Sequence, residues 1–145
     1  MYKSILLPVD LGDKSSWAKA LPVALALANQ HGAKIHLLTV IPDYGMSVVG
    51  SFFPKDFEEK ARSSSKAELN ALLSEHIPDD IPTEAHVERG AIYKEIMMTA
   101  DKQDCDLIVI ASHRPEMSDY LLGPNAARVV RHASQSVFVV RQGAS

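Results

Sequence analysis

At 145 residues, with 46% hydrophobic and 23% charged positions, the chain has the composition of one soluble globular domain spanning 1–145, with enough apolar surface for an ordinary core. Its 15 Lys and Arg against 18 Asp and Glu give a formal net charge of −3, and the basic residues gather in no run, which argues against nucleic acid as the main partner. The single cysteine, Cys105, leaves no internal disulfide to form, and no apolar stretch approaches the ~20 residues of a membrane span.

The first residues run directly into a strand and lack the apolar region and small-residue cleavage site of a signal peptide, so a cytoplasmic location is expected. Residues 5–9 read as a central strand, with Pro8 near its end and Asp10 just beyond. Asp13 is a plausible cap for a first helix, whose inner face is expected to carry Trp17, Ala18, Leu21, Ala24, Leu25 and Ala28. Pro22 lies inside that pattern and should kink the helix. Strand two spans 35–41 and includes Val40. The following segment, 42–54, is long and apolar, with Met46, Val48, Val49, Phe52 and Phe53, and should cover something. Packing on its own domain, a lid over a ligand and a subunit contact all remain open.

Helix two should run from about Lys55 to His76, with Leu69, Leu72 and Leu73 inward and Glu58, Glu59, Lys60 and Lys66 solvated. Strand three, 83–88, alternates polar with small or apolar residues, which suits an exposed edge. Gly90 turns the chain into helix three, 92–102, with Ile96, Met97 and Ala100 inward. Cys105 then reads as a small core hydrophobe.

The last third organises the rest. Residues 107–111 are short, apolar and β-branched enough for a strand buried on both faces, and 137–140 form a second such run. Ala126, Val129, Val130 and Ala133 recur between them at helical spacing. The loop from Ser112 to Leu122 is longer than the about 2–6 residues usual for a strand-to-helix connection. It carries His113 and Arg114 and enters a helix that opens Gly123-Pro124-Asn125. Free backbone N–H groups and the helix dipole at such a start favour an anion, and with Arg114 nearby a phosphate is the natural guest. Five strands alternating with four helices give an α/β fold, an open parallel sheet of the doubly wound type. Ligands of such sheets bind beyond the carboxyl ends of the strands where strand order reverses, which should bring Asp10 towards the Ser112–Arg114 loop.

Other signatures are missing. The chain has no G-x-G-x-x-G after its first strand and no Walker-type loop. The six histidines form no i, i+4 pair, so no metal site is expected. No G-x-S-x-G is present, and Ser112 has no identifiable base and orienting group.

These residues resemble the universal stress protein family over nearly the whole chain. The resemblance rests on Ile5-Leu6-Leu7-Pro8-Val9-Asp10, on Leu37-Leu38-Thr39-Val40, on Gly90 and on the run ASHRPEMSDYLLGPNAARVVRHA that leads to VFVVR. That run is especially similar to the F/G-type branch. The resemblance implies a five-stranded parallel sheet of order 3-2-1-4-5 with helices on both faces (Rossmann-like), and ATP or another adenine nucleotide, with or without Mg²⁺, as ligand. Asp10 and Val40 would lie by the adenosine, with Ala111, His113, Arg114, Gly123 and Asn125 around ribose and phosphates; Pro8, Ile110 and Pro124 complete the expected site. Nucleotide-binding members carry G-x2-G-x9-G-[ST]. The corresponding positions here are Ala111, Arg114, Gly123 and Pro124, with eight residues in the long gap. Arg114 puts a cation where backbone would approach phosphate, and Pro124 removes a hydroxyl and an N–H. The expected protein is a regulatory nucleotide binder. Its rivals are a slow ATPase or phosphotransferase helped by Asp10 and an interaction module with an eroded pocket. If the last strand lies at a sheet edge, its apolar character predicts a homodimer formed through it.

Overall fold

A computed structural model describes residues 1–42, 57–112 and 123–141 of the chain. Strands β1 (Ser4–Pro8), β2 (Lys34–Pro42), β3 (Thr83–Gly90), β4 (Leu107–Ser112) and β5 (Ser136–Arg141) form one parallel sheet in the order β3-β2-β1-β4-β5. Helices α1 (Ala20–His31), α2 (Phe57–His76), α3 (Ile92–Lys102) and α4 (Pro124–His132) join them. The alternation is the one read from the residues, and the order is the one the family resemblance implies. Strand order reverses between β1 and β4, so the carboxyl ends of those two strands open a crevice.

The apolar runs alternate between two cores. Ile5, Leu7, Ile35, Leu37 and Val109 point to the face covered by Ala24 and Ala28 of α1 and by Leu69 and Leu72 of α2. Leu6, Leu38, Ile108 and Ile110 point to the face covered by Ile96 and Ala100 of α3 and by Ala126 and Val129 of α4. β4 is buried at every position, as a strand between two covered faces must be. Cys105 packs in the second core, where burial pushes its thiol pKa up. The start of β1 is tied to β4 by Asp106, whose carboxylate accepts the Lys3 and Ser4 N–H groups at 2.9 and 3.1 Å.

Four local expectations need correction. Pro22 does not kink a helix. A 3-10 turn, Lys14–Ser16, precedes α1, and Pro22 falls in the first turn of α1, where a backbone N–H has no intrahelical acceptor to lose. For the same reason Ala18 is exposed rather than on the inner face, and Ala20 is buried in its place. Asp13 caps the 3-10 turn, accepting the Ser15 N–H at 3.0 Å, rather than the helix itself. Lys66 is not simply solvated: its ammonium donates to the Ala85 carbonyl, and Arg62 donates to the Val87 carbonyl at 2.8 Å. Two long side chains of α2 therefore occupy acceptors along the outer edge of β3, one of the devices that blunts a sheet edge.

Gly90 ends β3 at φ +141°, where a side chain would be strained and a Cβ would come within 3.0 Å of Glu95 Oε2. It lets the chain leave the sheet tightly enough for α3 to begin at Ile92. The apolar segment after β2, with Lys55, and the loop carrying His113 and Arg114 fall in 43–56 and 113–122, outside the described residues.

Candidate nucleotide site

A cavity of about 310 Å³ opens at the strand-order reversal, within the about 300–1,000 Å³ range of small-molecule pockets. Pro8 and Asp10 reach it from the end of β1, Val40 from β2, and Ile110 and Ala111 from β4; Gly123, Pro124 and Asn125 close it from the start of α4. These are the expected site residues that fall within the described part of the chain, gathered from four elements. His113 and Arg114 lie outside it.

Several lining residues were not anticipated. Leu38 lies two residues before Val40 and shares its face of β2, a strand periodicity that could have found it. Ile92 and Ile96 come from one face of α3. Ser16 is buried behind Asp10: its hydroxyl accepts the Asp10 N–H at 2.8 Å and donates to the Asp10 carbonyl at 3.1 Å. One carboxylate oxygen of Asp10 accepts the Gly12 N–H at 2.9 Å. Asp10 is therefore both a turn residue and a wall of the cavity, its carboxylate held in place by the turn that it closes.

The polar and apolar groups are segregated. Leu38, Val40, Ile96 and Ile110 make an apolar wall, suited to a flat ring. Asp10 and Asn125 supply polar atoms nearby. Gly123, with extended backbone (φ −61°, ψ 155°), caps α4 without a side-chain hydrogen bond, and the first turn of α4 holds no acidic residue. Its carbonyl accepts the Ala127 N–H at 2.9 Å, so the donors of Asn125 and Ala126 precede the first bonded turn and have no acceptor among the described residues. An anion at that position would meet backbone N–H groups and the positive end of the helix. Among the described lining residues Asp10 is the one ionisable side chain.

The sequence matches the universal stress protein family model over residues 1–141. The chain belongs to that family. Universal stress protein G of Escherichia coli O157:H7 is 35% identical over 143 residues, covering 97% of this chain and 100% of the relative. The universal stress protein UspA from Lactobacillus plantarum has a similar fold, with TM-score 0.72 and 22% identity over 97% of this chain and 98% of that one. So have a universal stress protein in complex with cAMP, at TM-score 0.61 and 21% identity over 98% of both chains, and the Archaeoglobus fulgidus universal stress protein in complex with dAMP, at 0.62 and 20% over 95% and 97%.

On the same sheet face lies a cluster that the search for sequence spacing missed. His36 of β2 and His86 of β3 stack with ring centroids 5.0 Å apart, and His36 Nδ1 is 2.8 Å from His86 Nε2. Glu84 Oε2 lies 3.6 Å from His86 Nε2, while Glu84 Oε1 accepts from the Lys34 ammonium at 2.8 Å. Burial first, and then the other ring, hold the His36 pKa below the ordinary histidine value; burial also lowers that of His86. The sequence reading considered only spacing along the chain, whereas parallel pairing sets His36 opposite Glu84 and Leu38 opposite His86 and so brings the three side chains together.

Proposed function

We propose that this family member binds an adenine nucleotide, ATP or an AMP-type ligand, in the cavity at the strand-order reversal and acts as a regulatory binder rather than an enzyme. The observation that carries the reading is the pairing, in one cavity, of an apolar wall around Val40 and Ile110 with the open start of α4. The ring would lie against the wall and the phosphate on the Asn125 and Ala126 donors, with Asp10 near the ribose hydroxyls. The relatives solved with cAMP and dAMP support the choice of an adenosine phosphate. His113 and Arg114 would join from the intervening loop, and Mg²⁺ would accompany a triphosphate. In this reading residues 1–145 act as one cytoplasmic domain that pairs with a second copy through β5.

Calorimetric titration with AMP, cAMP, ATP and GTP, together with an assay of phosphate release from ATP, tests it. Adenine nucleotides should bind in preference to GTP, with negligible turnover. No binding of any adenine nucleotide at millimolar concentration would overturn the proposal, and sustained phosphate release would move Asp10 from a ribose contact to a helper in hydrolysis.

A further inference from the structure

We infer that His36, His86 and Glu84 form a site for a divalent transition-metal ion, Zn²⁺ by preference, that clips β2 to the edge strand β3. The three side chains can offer ligand atoms that all lie within 4.8 Å of one another. They do so because β3 alternates. Ala85 and Val87 are committed to the core with α2, so Glu84 and His86 must face the other side, where His36 and Leu38 also point.

The dimensions suit a small ion after a slight opening. Zn–N bonds of about 2.0–2.1 Å in a tetrahedron set two nitrogens about 3.3–3.4 Å apart. The Glu84 to His86 separation of 3.6 Å is already close to that edge length. The imidazole nitrogens, at 2.8 Å, must part by about half an ångström to reach it. They are held together by one shared proton, because one ring nitrogen must donate to the other. When the metal enters, that proton moves to the far nitrogen of its own ring. Both histidines then ligate as neutral imidazoles, through Nδ1 of His36 and Nε2 of His86, and no net proton is lost.

Glu84 is arranged for the same task. Lys34 holds one carboxylate oxygen and leaves the other, which faces His86, for the ion. An outer partner of this kind orients a ligating carboxylate, and it also sets a nearby positive charge against the ion. Two imidazoles with one carboxylate favour Zn²⁺ or Cu²⁺ over Mg²⁺ or Ca²⁺, which prefer oxygen ligands throughout. Entry is from the sheet edge, where Glu84 is half exposed while His36 is 4% exposed. None of the three residues lines the nucleotide cavity, whose nearest wall residue on β2 is Leu38, the register partner of His86, so the metal site borders that cavity and shares no side chain with it.

The test uses the full chain, freed of nucleotide and metal. Titration with Zn²⁺ should show one bound ion per chain, and Co²⁺ should give the absorption of a tetrahedral centre with nitrogen ligands. Proton NMR should show the His36 and His86 ring signals shifted by the paramagnetic ion, with those of His31 and His132 unmoved. His86→Asn and Glu84→Gln should each weaken Zn²⁺ binding at least about tenfold, the smallest loss typical even of an outer-shell partner. Glu84 is exposed enough for its substitution to leave the fold intact, so it decides the matter should the histidine variant fail to fold. No Zn²⁺ binding at millimolar concentration overturns the inference. So does binding that both variants leave unchanged, which would place the ion elsewhere, for example at the Met1 amine and His31 Nδ1, 3.3 Å apart.

Discussion

Replacing Pro124 by serine asks directly whether a phosphate rests on the start of α4. Pro124 is the first residue of that helix, follows the Gly123 cap, and lines the cavity. It is well suited to helix initiation, because its fixed φ is helical and the N–H that it lacks has no intrahelical acceptor there. That missing N–H is nonetheless one of the donors that an anion at the helix start could use. Serine would restore it and add a hydroxyl beside it.

A hydrogen bond to a charged group contributes about 1.5–3 kcal/mol. The phosphate must lose water to accept it, and Asn125 and Ala126 already supply donors, so the low end applies. About 1.4 kcal/mol is tenfold in affinity. Pro124→Ser should therefore bind AMP and ATP about tenfold more tightly than the parent. Adenosine lacks the phosphate, and its affinity should stay the same. The ratio of AMP to adenosine affinity, from calorimetric titration of both variants, isolates the effect from any change in the ring pocket. Stability should fall by about 0.4–1 kcal/mol, because serine frees the unfolded chain that proline restrains. A ratio unchanged by the substitution, in a protein that does bind AMP, would refute the placement of the phosphate on this helix.

Further outcomes follow from other parts of the fold. Ser16→Ala removes the buried hydroxyl that bridges the Asp10 N–H and carbonyl; urea unfolding should show a loss of about 1–3 kcal/mol, and an unchanged midpoint would mean that water replaces the hydroxyl. Ala111→Leu fills the cavity from β4 and should abolish nucleotide binding while costing about 1–3 kcal/mol through overpacking; retained binding would move the site. Phe138 on the edge strand β5 is 45% exposed; if a second copy pairs there, the parent should sediment as a dimer and Phe138→Lys as a monomer, whereas a monomeric parent at micromolar concentrations would exclude the dimer. Burial holds the Cys105 pKa above the ordinary thiol value of about 8.5. The unfolded thiol therefore ionises first, so stability supplied by the neutral thiol is complete below about pH 8.5 and is lost as pH rises through the folded pKa. Unfolding free energies of the parent and Cys105→Ala should differ in slope only above that pH, and equal slopes would show that the thiol is not linked to folding.

The sheet was legible because each strand carries its own signal. Residues 107–111 are apolar at every position and are buried at every position; residues 83–88 alternate, and Ala85 and Val87 alone go inward. Helix three was readable to its ends, since Ile96 and Ala100 mark its inner face and Gly90 its approach. The first helix was not, because the apolar spacing from Trp17 continues across a change of structure. The 3-10 turn at Lys14–Ser16 and the turn after it hold Trp17 against His76, with ring centroids 5.0 Å apart, before α1 begins. Helical spacing around Pro22 therefore came from two elements, and the proline that seemed to interrupt one helix stands near its start.

Cross-strand register explains the larger omission. Within a strand, alternation tells which residues share a face, so Glu84 and His86 belong together, as do His36, Leu38 and Val40. Which residue of β2 stands beside which of β3 depends on where each strand starts against its neighbour. Here that is fixed by Ile35, whose N–H donates to the Pro82 carbonyl at 2.9 Å and whose Cα pairs with Thr83. Pro82 cannot donate a backbone hydrogen bond but can accept one, so it serves naturally as the acceptor at the head of β3. From that bond the pairing runs on to His36 with Glu84 and Leu38 with His86. A slip of one residue would turn Ala85 and Val87 out of the core. The burial of two small apolar side chains on one face thus holds two imidazoles and a carboxylate together on the other, and a search for ligand spacing along a single element cannot see that.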